Sequence, residues 1–101
     1  MVIWTPLAQK DLKAIYDYIA KDSLFNAKKV SKEIVQKVET SLSSPLDLMG
    51  KKIPEFERDD LREIHIHSWR VIYQLQNHNK FVLTLFHKRR ELLASDLAVK
   101  Q

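Results

Sequence analysis

LREIHIHSWRVIYQLQNHNKFVLTLFH, residues 61–87, decides how this chain folds, because its apolar residues recur at every second position. That period belongs to strands, whose side chains alternate between two faces. The stretch predicts three strands, over about 61–67, 69–76 and 80–87. His67-Ser68 is a tight link between the first two. Asn77-His78-Asn79-Lys80 supplies the second turn, since asparagine tolerates the left-handed conformation that hairpins need.

Pairing follows from the turns. A two-residue turn at 67–68 sets Ile66 opposite Trp69 and His65 opposite Arg70. A hairpin centred on His78 and Asn79 sets Arg70 opposite His87 and Ile72 opposite Leu85. Alternation then gives one face Ile64, Ile66, Trp69, Val71, Tyr73, Val82 and Phe86, which is a core face. The other face collects Glu63, His65, Arg70, Gln74 and His87, interleaved with Ile72, Leu83 and Leu85. Its charges are too many for an ordinary core, so it is expected to be an open, concave binding surface.

What covers the core face lies upstream. MVIW is a short apolar start suited to a strand. Thr5 can cap a helix that begins at Pro6, where the missing N–H costs nothing. Leu12, Ile15, Tyr16 and Ile19 mark a helical stripe, predicting a helix over about 6–21. Asp22 or Ser23 can cap a second helix, striped by Ala27, Val30, Ile34, Val38 and Leu42 and ended before Pro45. So short a link predicts an antiparallel helical hairpin lying on the sheet. Residues 43–60 hold two of the three prolines and the only glycine, and read as a long connection. The tail RRELLASDLAVKQ predicts one short helix. The fold class is α+β: an N-terminal strand, a two-helix hairpin, three further antiparallel strands and a short C-terminal helix.

Composition bounds what such a fold does. A chain of 101 residues suits one domain, 1–101, with a single modest core. No apolar run reaches the length of a membrane span, and the start lacks the pattern of a secretory signal. The chain has no cysteine, which removes disulfides, a thiolate nucleophile and cysteine zinc ligation, and suits a cytoplasmic location. A net charge of +4 fits either a nucleic-acid or acidic-protein partner or plain solubility.

The candidate site residues divide by chemistry. His65 and His67, with His87 as a third ligand, have a loose zinc spacing, but no HExxH-like carboxylate pattern supports it; no metal and no cofactor is expected. Arg70, mid-strand between tryptophan and valine, has a fork suited to phosphate or carboxylate; the alternative is a structural ion pair with Glu63. His87, Lys88, Arg89 and Arg90 form a cationic rim where the last strand ends. Such a rim binds a polyanion or is a solvated charge run. No helix-turn-helix pattern marks a DNA-reading regulator.

Several pieces, taken in order, resemble the RelE/ParE superfamily of toxins from type II toxin–antitoxin modules. They are DLKAIYDYI (11–19), IPEF (53–56), LRE (61–63), WRVIY (69–73) and HKRREL (87–92). In RelE-like members, ribosome-dependent enzymes that cut mRNA without a metal, the resemblance implies that Arg70 steadies the phosphorane charge. Glu55 or His87 would then serve as general base or acid. The chain departs from that pattern where a lysine pair would fall near Leu61 and Glu63, and in lacking a tyrosine in the C-terminal segment. ParE-like members, which poison DNA gyrase, are similar in the first helix and in the pattern His87, Arg89, Leu92. The resemblance therefore favours a ParE-like toxin, with an RNA-cutting one as the alternative. Either implies a cognate antitoxin that wraps the toxin with an extended, often acidic segment. Glu63, His65, Arg70, Lys88, Arg89, Arg90 and the apolar Ile72, Leu83 and Leu85 are the residues expected to receive partners.

Overall fold

Thr5 starts the first helix as its place before Pro6 predicts: its hydroxyl accepts from the Ala8 N–H at 3.2 Å and donates to the Val82 carbonyl at 2.9 Å. One side chain thus caps a helix and ties it to the sheet. The computed structural model describes residues 2–43, 51–56 and 58–90. Strand β1 (Val2–Trp4) leads into helix α1 (Pro6–Ala20) and helix α2 (Leu24–Leu42), followed by β2 (Lys51–Lys52), β3 (Leu61–Ile66), β4 (Trp69–Gln76) and β5 (Asn79–His87). Ser23 is the residue that caps α2, accepting from the Asn26 N–H at 3.1 Å.

All five strands form one sheet in the order β1-β5-β4-β3-β2. Among the described residues only β1 runs parallel to its neighbour, β5. The expected set of three antiparallel strands is therefore extended at both edges, making the sheet mixed. Of the tail expected to form a C-terminal helix, 89–101, Arg89 and Arg90 lie with Lys88 in a turn, and residues 91–101 lie outside the described residues.

The first hairpin has the expected register, with His65 opposite Arg70 and Ile66 opposite Trp69. The second does not. Its loop is Asn77-His78, one residue earlier than expected, and both residues have positive φ, 49° and 70°. Two left-handed residues match the right-handed twist of the flanking strands. A bulge then shifts the ladder: Tyr73 faces Val82, whereas Ile72 faces Thr84, leaving Leu83 as the extra residue. Beyond it Arg70 faces Phe86, not His87, and Val71 faces Leu85.

The shift puts Leu85, Phe86 and His87 on the faces opposite those expected. Leu85 joins Ala8, Ile15, Ile34, Val38, Leu42, Ile66, Val71, Tyr73 and Val82 in the core beneath the helices. Phe86 lies on the far face with Ile53, Leu61, Ile72 and Leu83. That far face is a second, smaller core, with Phe56 and Phe81 packed against it. Burial of Ile53 is worth about 2 kcal/mol towards holding residues 53–56 down on the sheet, and Phe56 adds to it.

Strand β1 is short, so the rest of β5 has a free edge. Asp11, on α1, closes it: its carboxylate accepts from the Leu85 N–H at 3.2 Å and from the Thr84 hydroxyl. An edge amide that could recruit another strand is thereby occupied. Among the described residues no helix is long and apolar enough to cross a membrane.

Candidate functional site

Arg70 is the second residue of β4, on the face away from the helices, as alternation requires, and it is buried, 5% exposed. Its Nε donates to Glu63 Oε1 at 2.7 Å. Its two terminal nitrogens donate to the two oxygens of Glu55, at 2.8 and 2.9 Å. One of them also donates to the Arg90 carbonyl at 3.1 Å. Four of the roughly five N–H donors of a guanidinium are therefore engaged within the chain. Hydrogen bonding to Glu55 holds the guanidinium pKa above its already high value.

Each partner comes from a different element, and the sequence explains why. Glu63 reaches Arg70 from β3, whose register places it on the same face. Glu55 arrives on the 53–56 segment, anchored by Ile53 and Phe56 in the far-face core. Arg90 closes the turn after β5, its guanidinium carbon 4.7 Å from the centroid of the Phe86 ring. The Arg70 guanidinium lies 5.3 Å from the same ring. A buried cation is tolerable only with such partners.

The far face is thus not the open surface expected from alternation alone. Residues 53–56 cover part of it, and Ile72, Leu83 and Leu85 are buried, Leu85 on the helix side. Of the charged residues expected there, Glu63 and Arg70 are together but buried, and His65 is exposed at the rim, its Nε2 3.2 Å from Glu63 Oε1. His87 is not beside Arg70. It lies edge-on to Trp69, with ring centroids 5.5 Å apart, and Trp69 packs on the helix-side core.

His87 instead organises the cationic turn. Its Nδ1 accepts from the Arg89 N–H at 3.2 Å, and its carbonyl accepts from the Arg90 N–H at 2.9 Å. The Lys88 N–H donates to the Ser68 carbonyl at 2.8 Å, so the β3–β4 link and the basic turn are joined. Lys88, Arg89 and Arg90 are all exposed.

His67 and His65, though two apart, serve different neighbours. His67 has a φ of 55°, which turns its ring towards α2, where its Nε2 lies 2.8 Å from Glu33 Oε1. Among the described residues no group of three histidine, cysteine or acidic side chains is placed to hold a metal ion.

Exposed apolar residues near the link between α1 and α2 are not singled out by the helical stripes. Tyr18, Leu24 and Phe25 are 68%, 54% and 75% exposed. The available signal was the position of Phe25, off the Ala27–Val30–Ile34 stripe. Phe25 shares its side of α2 with Lys28, Lys29 and Lys32, three, four and seven residues on.

Comparison with known proteins supports one family. The family model described as the ParE toxin of the type II toxin–antitoxin system parDE matches residues 2–92. No curated protein matches the chain. Among solved structures, a chain of the chromosomal ParDE TA system from P. aeruginosa is similar in fold, with a TM-score of 0.69 at 22% identity. The match covers 85% of this chain and 92% of that one.

Proposed function

This chain belongs to the ParE toxin family of type II toxin–antitoxin systems, and from that premise we propose that it poisons DNA gyrase and is silenced by a cognate antitoxin. The observation that carries this reading is the saturation of Arg70. In an RNA-cutting toxin this guanidinium would face the phosphate and take up transition-state charge. Here it would first have to leave Glu55, Glu63 and the Arg90 carbonyl. Turning to a phosphate would forfeit those bonds and leave Glu63 buried without its cation.

Poisoning of a topoisomerase asks for no reacting side chain in the toxin. It asks for tighter binding to the cleaved-DNA state of gyrase than to its other states. The exposed turn of Lys88, Arg89 and Arg90, held by His87 and Ser68, suits contact with a complex that contains DNA. Such contact weakens as salt rises. The meeting takes place in the cytoplasm.

The antitoxin segment is assigned to the tip of the helical hairpin, where Phe25 and Leu24 are exposed beside Lys28, Lys29 and Lys32. An acidic segment with apolar anchors fits both properties at once. Ile72, Leu83 and Leu85 are buried and do not enter this assignment.

One observation favours a second reading. Glu55, a candidate general base, is in direct contact with Arg70, as a ribosome-dependent endoribonuclease would use them. The two readings separate in parallel reactions: gyrase with supercoiled plasmid, and translating ribosomes with end-labelled mRNA. Gyrase-dependent plasmid linearisation with intact message is the expected result. Codon-phased cuts in the message with intact plasmid would replace the gyrase reading with the second.

A further inference from the structure

We infer that Arg70 is a positioning residue that fixes the cationic turn Lys88–Arg89–Arg90 in its target-binding conformation by clasping the Arg90 backbone to the far face of the sheet. The inference rests on the assignment of that turn to the gyrase–DNA complex.

The clasp is built from both backbone and side chain. Arg70 donates to the Arg90 carbonyl at 3.1 Å, and the Arg90 guanidinium lies over Phe86, the cross-strand partner of Arg70. The Arg70 nitrogen that makes the carbonyl bond also binds Glu55 at 2.8 Å. Glu55 orients the fork in two places, and Glu63 fixes it in a third. The direction of the donor aimed at Arg90 is therefore set by carboxylates on two other elements. A turn with three exposed cations would otherwise sample many conformations and lose binding free energy when it docks.

A lysine at position 70 keeps the positive charge but has no fork. It can neutralise one carboxylate, yet it cannot bind Glu55 at both oxygens, Glu63 and the Arg90 carbonyl together. The same loss is reachable from outside the strand. Glu55→Ala leaves Arg70 in place with Glu63 as its remaining carboxylate partner and removes the two bonds that aim it.

The experiment uses the full chain and its antitoxin, with three measurements on Arg70→Lys and Glu55→Ala. Hydrogen exchange at the Arg90 amide, relative to the Leu85 amide on β5, reports on the turn. Gyrase-dependent plasmid linearisation reports on the target. Titration with the antitoxin reports on the helical hairpin. The expected result is exchange accelerated over the parent at Arg90 but not at Leu85, a fall of roughly tenfold or more in linearising potency, and antitoxin affinity within about threefold of the parent. Arg70→Lys that exchanges faster throughout marks a folding defect, and the result for Glu55→Ala then decides.

Two outcomes overturn the inference: exchange at Arg90 unchanged in Glu55→Ala, or exchange faster with linearising potency intact. Lys88→Ala/Arg89→Ala separates the inference from its premise. If that variant linearises plasmid as the parent does, the turn does not contact the target, whatever Arg70 does to it.

Discussion

Arg70 and Glu55 meet in a two-point pair, each terminal nitrogen of the guanidinium within 2.9 Å of its own carboxylate oxygen. Fifteen positions apart in sequence, they join the middle of the sheet to the segment that covers its far face. Removing Arg70 takes the cation from Glu55 and from the buried Glu63 at once. Arg70→Met is expected to lose about 3–5 kcal/mol of stability, measured by urea unfolding. Replacing Glu55 and Glu63 by apolar residues in the same background should restore much of the loss. A single variant as stable as the parent would remove the pair from the account of the fold.

Asp11 offers a second, independent test. It holds the Leu85 amide and the Thr84 hydroxyl at the β5 edge left open by β1. Asp11→Ala should cost about 1–3 kcal/mol and accelerate hydrogen exchange at Leu85. No change in Leu85 exchange would mean that the edge is closed by something else.

The β4–β5 turn contains a removable strain. His78 has a φ of 70°, a conformation that costs a residue with a Cβ about 1–2 kcal/mol. His78→Gly is expected to raise stability by about 0.5–1 kcal/mol, part of the gain being lost to glycine's greater freedom when unfolded. A lower melting temperature would contradict this.

Asp60 gives the pH dependence. Hydrogen bonding from Arg58, with help from Gln74, holds its carboxyl below the usual carboxylate range despite partial burial. A depressed folded-state pKa means that the ionised form stabilises the fold. The contribution is fully present above the unfolded value of about 4 and is lost as pH falls through the folded one. The stability difference between the parent and Asp60→Asn should therefore shrink below pH of about 4. A difference constant between neutral and strongly acid pH would rule out this linkage.

These predictions draw on features that the sequence made legible to different degrees. The helices were plain, because Thr5-Pro6, Ser23 and the apolar stripes are local signals, and local signals survive into the fold. The first hairpin was equally plain, since only two residues separate its strands. The second failed by one residue at Asn77-His78, and again at Leu83, because a bulge is set by tertiary packing and not by the alternation that conceals it. That error moved Phe86 and Leu85 between faces and parted His87 from Arg70. The far-face core was illegible for another reason. Its lid, Ile53 and Phe56, comes from a stretch with no strand or helix period. Glu55, in the IPEF piece of the resemblance, meets Arg70, although nothing in spacing requires it.

The most direct test of the central claim measures gyrase trapped covalently on DNA. Purified chain is added to gyrase and supercoiled plasmid, the reaction is stopped with denaturant, and protein-linked linear DNA is counted while antitoxin is titrated in. The account predicts linked breaks that appear only with gyrase and fall to background once antitoxin matches the toxin in amount. Absence of linked breaks at any toxin concentration, with the antitoxin complex still forming, would contradict it.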